Sequence, residues 1–324
     1  MSETIIEPIE SFGLFSKNRK KSLFSKIGVV GAGKDGRNII RLTSSAGLEV
    51  IFIEVSPERV DFAFERLSAG LDSRIENWGL TPNEKRAILA RIKGSTDYAE
   101  LGDCDFIIEC IRYDSETGER NTVLRKHAFK DIESVVSPEA IIATNSTNVI
   151  ISELASVLKH KERCVSLRFP VAHPDARILE VVKGAYTSQE VYDRVLRFAK
   201  LINYEIIEVN ESNGLVSMRM IVVMLNEACQ MLMEKTAKME SIDRLSVVSY
   251  GMRIGIFHMA DIIGIEKLVT LMEDMFNEYG DKIYKPNPIL WRLYRTQQLG
   301  VSTGKGFFIY DKDEIIIGPN PFFN

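Results

Sequence analysis

The segment from Lys26 to Glu54, KIGVVGAGKDGRNIIRLTSSAGLEVIFIE, restricts the fold more than any other part of the chain. A short apolar run, Ile27 to Val30, passes directly into Gly31, Gly33 and Gly36 in the spacing G-x-G-x-x-G. A helix-like segment follows, then a second apolar run closed by Glu54. Strand, glycine turn, helix and strand in this order make a parallel βαβ unit that binds a dinucleotide. Each glycine has its own mechanical job. Gly31 permits the tight turn, Gly33 lets a pyrophosphate approach the backbone, and Gly36 lets the helix pack close to the strand. Phosphate oxygens then meet open N–H groups at the positive end of the helix. Glu54 stands at about the spacing, roughly 20 residues on, of an acid that accepts the hydroxyls of an adenosine ribose. A carboxylate there repels a 2′-phosphate, so the pattern favours NAD over NADP. Asp35 is unusual inside such a turn because its charge faces the phosphates. Lys34 or Arg37 can offset it, and the expectation is a side chain that points to solvent or caps the helix.

At 324 residues the chain is long enough for two domains with well-buried cores. Its apolar share of 45% and charged share of 27% are those of an ordinary globular protein. A net charge of −4 gives no general reason to bind nucleic acid or an anionic membrane. The four cysteines form no C-x-x-C pair and read as buried thiols in a reducing compartment. The four histidines are widely spread, so no metal-ligand cluster stands out. The basic run Lys17 to Lys21 follows early acids and leads into no apolar stretch, which speaks against a secretory signal. The apolar runs fall short of a membrane span, and the expected location is the cytoplasm.

Residues 1–24 lack periodicity and read as an N-terminal extension. From 25 to 208, apolar runs alternate with amphipathic segments, the pattern of a mostly parallel sheet covered by helices. The runs are Ile27–Val30, Val50–Ile53, Phe106–Ile111, Ala140–Thr144, Cys164–Phe169, Leu179–Val182 and Tyr204–Val209. The charged, helix-forming stretch Pro57–Lys93 is long enough for a helical hairpin inserted in the sheet domain, with a helix start at Thr81, Pro82 and Glu84. Beyond a boundary near 209 the character changes. Val216–Met239 repeats apolar residues at helical spacing, and its many methionines read as core of a helical domain reaching 312. The tail, 313–324, reads as loop or docking peptide.

Several further segments occur in one order: FIIECI at 106–111, ATNSTNV at 143–149, SLRFPVAHPDARILEVV at 166–182, NGLVSMR at 213–219, GIFHMADIIG at 255–264 and GVSTGKGFFIY at 300–310. Together with the glycine turn, they resemble the 3-hydroxyacyl-CoA dehydrogenase family over about residues 25 to 311. The resemblance implies an α/β fold, a Rossmann-type mostly parallel sheet with the inserted hairpin, followed by an all-α C-terminal domain that makes a homodimer. It implies NAD as cofactor and, as substrate, a 3-hydroxyacyl-CoA such as 3-hydroxybutyryl-CoA, or a related hydroxy acid, interconverted with its keto form.

The cofactor half of that pattern stands and the other half is rewritten. Arg168 occupies the place of the family's proton-accepting histidine, with Glu180 on the glutamate that orients it. Thr147 keeps a hydroxyl where the family has a serine, while Val171 and Met218 replace two asparagines and Arg219 is retained. A guanidinium stays charged at physiological pH, so Arg168 cannot take the proton. It could hold an alkoxide, a keto oxygen or a substrate carboxylate. Equally, it could close the old site in an ion pair with Glu180. His173 and Lys183 are alternative bases, set against a turn histidine and a solvated strand-end lysine. On the nicotinamide side the resemblance assigns Glu109, Thr144, Asn145 and Arg120, with Tyr113 replacing a second acid. On the hairpin, the family's CoA contacts fall on Gly70 and Asn77, with Arg74 as the nearby cation. The second reading is a catalytically impaired member that binds NAD or an acyl-CoA as a sensor or partner subunit.

Overall fold

The computed structural model describes residues 24–76, 79–111, 122–147, 149–169 and 177–323. The described residues open with β1 (Lys26–Val30), α1 (Lys34–Ser45) and β2 (Glu49–Ile53), the expected βαβ unit. The hairpin follows as α2 (Pro57–Glu76) and α3 (Pro82–Leu89). Thr81 starts α3 with a capping box: the Glu84 N–H donates to Thr81 Oγ1 at 3.3 Å and the Thr81 N–H to Glu84 Oε2 at 2.8 Å. Next come β3 (Ile92–Ser95), β4 (Phe106–Glu109), α4 (Thr122–Val135), β5 (Ile141–Thr144) and the short α5 (Ile151–Ala155). The sheet domain is completed by β6 (Cys164–Arg168), β7 (Ile178–Lys183), α6 (Gln189–Leu201) and β8 (Glu205–Asn210). The boundary expected near 209 falls within this last strand.

The strands form one sheet in the order β3-β2-β1-β4-β5-β6-β7-β8. All neighbours are parallel except β6 and β7, which run antiparallel with Arg168 opposite Glu180. The chain moves outward from β1 through β2 to β3, then returns to β4 on the other side of β1. Such a reversal opens a crevice at the carboxyl ends of β1 and β4, where doubly wound sheets bind ligands. Helices cover both faces, and β4, β5 and β6 are buried throughout. Phe24 belongs to this core rather than to an extension. It is 1% exposed, with ring centroids 5.6 Å from Phe106 and 5.5 Å from Phe198.

The second domain packs α7 (Ser217–Met233), α8 (Met239–Tyr250), α9 (Ile256–Ile263), α10 (Ile265–Tyr279) and α11 (Pro288–Arg295) around a core that includes Met218, Met272 and Met275. The helix expected to reach Met239 stops at Met233, and Lys235 beyond it takes a left-handed conformation, φ 57°. The tail also departs from expectation. β9 (Phe308–Tyr310) pairs antiparallel with β10 (Ile316–Pro319), so a hairpin stands where loop was expected. Asp311 builds its turn by accepting the N–H groups of Asp313 and Ile315, both at 2.9 Å. Among the described residues, no helix is long and apolar enough to cross a membrane.

Candidate active site

The glycine turn joins β1 to α1 at the crevice. Gly31 has φ 94°, and its N–H donates to the Ile53 carbonyl at 2.9 Å, tying the turn to the end of β2. Among the described residues, nothing lies within 4 Å of the place a Gly33 Cβ would take. That open space in front of the α1 N-terminus is the room a pyrophosphate needs. Glu54 Oε1 accepts the Ala32 N–H at 2.6 Å, and Arg59 Nε lies 3.8 Å from Oε2. The carboxylate therefore sits against the turn, where an adenosine ribose would meet it. These residues fit a dinucleotide. Glu54→Ala should weaken NADH binding roughly 10- to 100-fold, the worth of a hydrogen bond to a charged group. A fluorescence titration of NADH checks this, and an unchanged affinity would remove Glu54 from the ribose site.

Glu109 closes β4 and is fully buried. Its Oε1 accepts the Ile111 N–H and its Oε2 the Thr144 hydroxyl, both at 2.6 Å. Arg125 Nη1 on α4 lies 3.8 Å from Oε2, while Nη2 donates to the Ile111 carbonyl. Arg120 and Tyr113 lie outside the described residues; among the described residues, the cation beside Glu109 is Arg125. Asn145 Oδ1 accepts the Phe169 N–H at 3.1 Å, which joins the end of β5 to the end of β6. Thr147 is buried, and its carbonyl accepts the Gly214 N–H at 2.9 Å.

Arg168 is 2% exposed, and its Nε and Nη1 lack a hydrogen-bond partner among the described residues. The ion pair with Glu180 does not form, although the two residues are opposite in register. Instead Arg168 Nη1 lies 3.8 Å from Asp35 Oδ2. The Glu180 carboxylate holds the start of α7: Oε1 accepts the N–H groups of Val216 (3.2 Å) and Ser217 (2.9 Å), and Oε2 accepts the Ser217 hydroxyl (2.8 Å). Asp35 neither points away to solvent nor caps α1. Its Oδ2 also lies 3.4 Å from Lys267 Nζ, which reaches in from the first turn of α10.

Other candidates fall elsewhere. Lys183 is exposed and donates to Gln189 Oε1 at 2.8 Å, the solvated strand-end lysine. Met218 is core, and Arg219 donates to the Tyr284 hydroxyl at 2.7 Å while lying over the Tyr279 ring. Gly70 and Arg74 lie on the exposed side of α2. Val171, His173 and Asn77 lie outside the described residues.

A model of the 3-hydroxyacyl-CoA dehydrogenase NAD-binding domain matches residues 26–212, and one of the 3-hydroxyacyl-CoA dehydrogenase C-terminal domain matches residues 214–310. The chain belongs to the 3-hydroxyacyl-CoA dehydrogenase family. A probable 3-hydroxybutyryl-CoA dehydrogenase of Bacillus subtilis is 30% identical over 287 residues, covering 89% of this chain and 98% of that protein. The 3-hydroxybutyryl-CoA dehydrogenase of Clostridioides difficile is 29% identical, covering 89% and 100%. Among solved structures, (S)-3-hydroxybutyryl-CoA dehydrogenase PaaH1 from Ralstonia eutropha superposes with a TM-score of 0.79 at 30% identity, covering 89% of this chain and all of that one, 100%. FadB2 of M. tuberculosis gives a TM-score of 0.84 at 26% identity, covering 89% and 99%.

Within this member of the family, sequence reasoning missed Arg125 and Lys267 and misread Asp35. Arg125 had a signal: it stands in the buried stripe of α4 with Ala128, Phe129 and Ile132, at spacing i, i+3, i+4, i+7. Lys267 had a weaker one, a lone cation in the largely buried run from Ile265 to Met275. Nothing local joins it to Asp35, since the pair lies 232 positions apart.

Proposed function

We propose that this NAD-dependent dehydrogenase interconverts a short-chain 3-hydroxyacyl-CoA, such as 3-hydroxybutyryl-CoA, with its 3-keto form. The observation that carries the reading is the crevice itself: a glycine cradle with Glu54 at the ribose place, opening onto a buried cation, Arg168, in the position of the family's histidine. Bound NAD(H) would accept or supply the hydride at the reacting carbon. Arg168 offers two buried N–H groups to the oxygen on that carbon, where negative charge grows as the ketone is reduced. Thr147 lines the same end of β5, and Glu180 acts as a positioning residue through its three bonds to the start of α7. Glu109 and Asn145 fix the strand ends beside the nicotinamide, with Arg120 assigned to that side by resemblance alone.

Self-association as a homodimer is the expected assembly. Its support is the exposed apolar side of the helical domain, where Met220, Leu245, Val248 and Tyr250 are 55% to 76% exposed. A cytoplasmic setting agrees with four unpaired cysteines, three of them buried. The assay is turnover of acetoacetyl-CoA with NADH, and of 3-hydroxybutyryl-CoA with NAD, followed by NADH absorbance. Turnover is expected, with Arg168→Met lowering kcat about 10²- to 10³-fold, as for loss of an oxyanion donor. A protein that binds NADH but turns over neither substrate overturns the proposal.

A further inference from the structure

The dehydrogenase reaction moves a proton as well as a hydride, and Arg168 cannot release or take one near neutral pH. The described histidines do not supply the missing group. His127 and His160 are exposed, and His258 packs against Phe308 and Tyr310 in the helical domain. The crevice instead receives Lys267, whose side chain is 9% exposed. Its Nζ and Arg168 Nη1 lie 3.4 and 3.8 Å from one oxygen, Asp35 Oδ2. Two cations from different domains thus meet a carboxylate at the first turn of α1, beside the end of β6. One of the two is exchangeable, because an ammonium releases its proton where a guanidinium does not.

We propose that Lys267 is the proton donor and acceptor of the reaction, with Asp35 holding its ammonium and Arg168 holding the reacting oxygen. The inference rests on the dehydrogenase reading above. In reduction, the carbonyl carbon gains the hydride that bound NADH would supply, and the C=O π pair moves onto oxygen. A Lys267 N–H bond breaks, its electron pair stays on nitrogen, and the proton forms the new O–H bond. In oxidation the neutral amine takes the hydroxyl proton while the carbon gives up the hydride that bound NAD would accept. Reduction therefore uses the ammonium form of Lys267 and oxidation its neutral amine, so oxidation gains as pH rises. Of the described groups, Asp35 from α1 faces this ammonium, with Arg168 from β6 on the same carboxylate oxygen and the Cys110 thiol after β4 near Asp35 and Arg168. Burial pushes that thiol well above its ordinary range, so it stays neutral.

Lys267→Arg separates a chemical role from a structural one, because it keeps a cation beside Asp35 but loses the exchangeable proton. Expected are NADH binding within about threefold of the parent by fluorescence titration and little change in KM. The drop in kcat should be on the order of 10²- to 10⁴-fold, the usual loss for a positioned acid–base group. The parent's oxidation rate should rise with pH, and the variant's should be flat. Lys267→Arg with near-parental kcat and pH profile overturns the inference alone. So does a parent whose oxidation is indifferent to pH, a measurement that needs no variant to fold. A parent silent on both substrates overturns the dehydrogenase reading and takes this inference with it.

Discussion

Asp261→Ala should lower the melting temperature by on the order of 10 °C, from a loss of about 3–5 kcal/mol. Asp261 is buried on α9 and accepts three hydrogen bonds, each at 2.9 Å: the Phe307 N–H on Oδ1, and the Phe308 N–H and Tyr310 hydroxyl on Oδ2. Truncation leaves all three donors in a dry core, and an orphaned buried donor costs about 1–3 kcal/mol. Tyr310→Phe removes one donor and should cost only about 1 kcal/mol. Burial pushes the Asp261 carboxyl up to about 7, against the downward pull of its three donors. The folded protein then keeps a proton that the unfolded chain releases, so Asp261 makes stability fall as pH rises from about 4 to about 7. The alanine variant should lose that contribution to the slope. Thermal melts across this window check both statements, and a variant as stable as the parent would remove Asp261 as the anchor of β9.

Gly36→Ala should abolish measurable NADH binding and destabilise the protein by about 1–3 kcal/mol, the usual cost of overpacking. The added Cβ would stand 1.9 Å from the Gly31 carbonyl oxygen and 3.5 Å from Cys110 Cβ. Backbone, unlike a flexible side-chain tip, cannot swing away. Either α1 slides outward or the turn deforms, and both displace the N–H groups that a pyrophosphate would use. Gly33→Ala meets no neighbour in the described chain, so the fold should keep its melting point while the methyl group intrudes on the ligand's space. Measuring affinity and melting temperature for both variants separates the two glycines' jobs. Tight NADH binding by Gly36→Ala would contradict the close packing of α1.

The sheet was legible where one period governed a whole segment. The glycine turn, the hairpin with its Thr81 start, and the buried runs that became β4, β5 and β6 all carried local signals. β3 did not, because IKGS has a single buried residue and too little apolar character to stand out. The tail hairpin escaped for a related reason. Ile315, Ile316 and Ile317 are all exposed, and their conformation comes from turn chemistry at Asp311 rather than from a core-facing pattern. At the site, resemblance located Arg168 and Glu180 but not their partners. Register sets them opposite each other, yet one side chain turns to Asp35 and the other to the α7 start. Long-range electrostatics decided both, and such pairings leave no periodic trace in a sequence.

The buried ring of Phe24 separates two boundaries that are easily equated. The match to the family's NAD-binding domain begins at Lys26, but a chain trimmed to that point would have a hole between the rings of Phe106 and Phe198. The unit that folds is longer at its leading edge than the segment that defines the family domain.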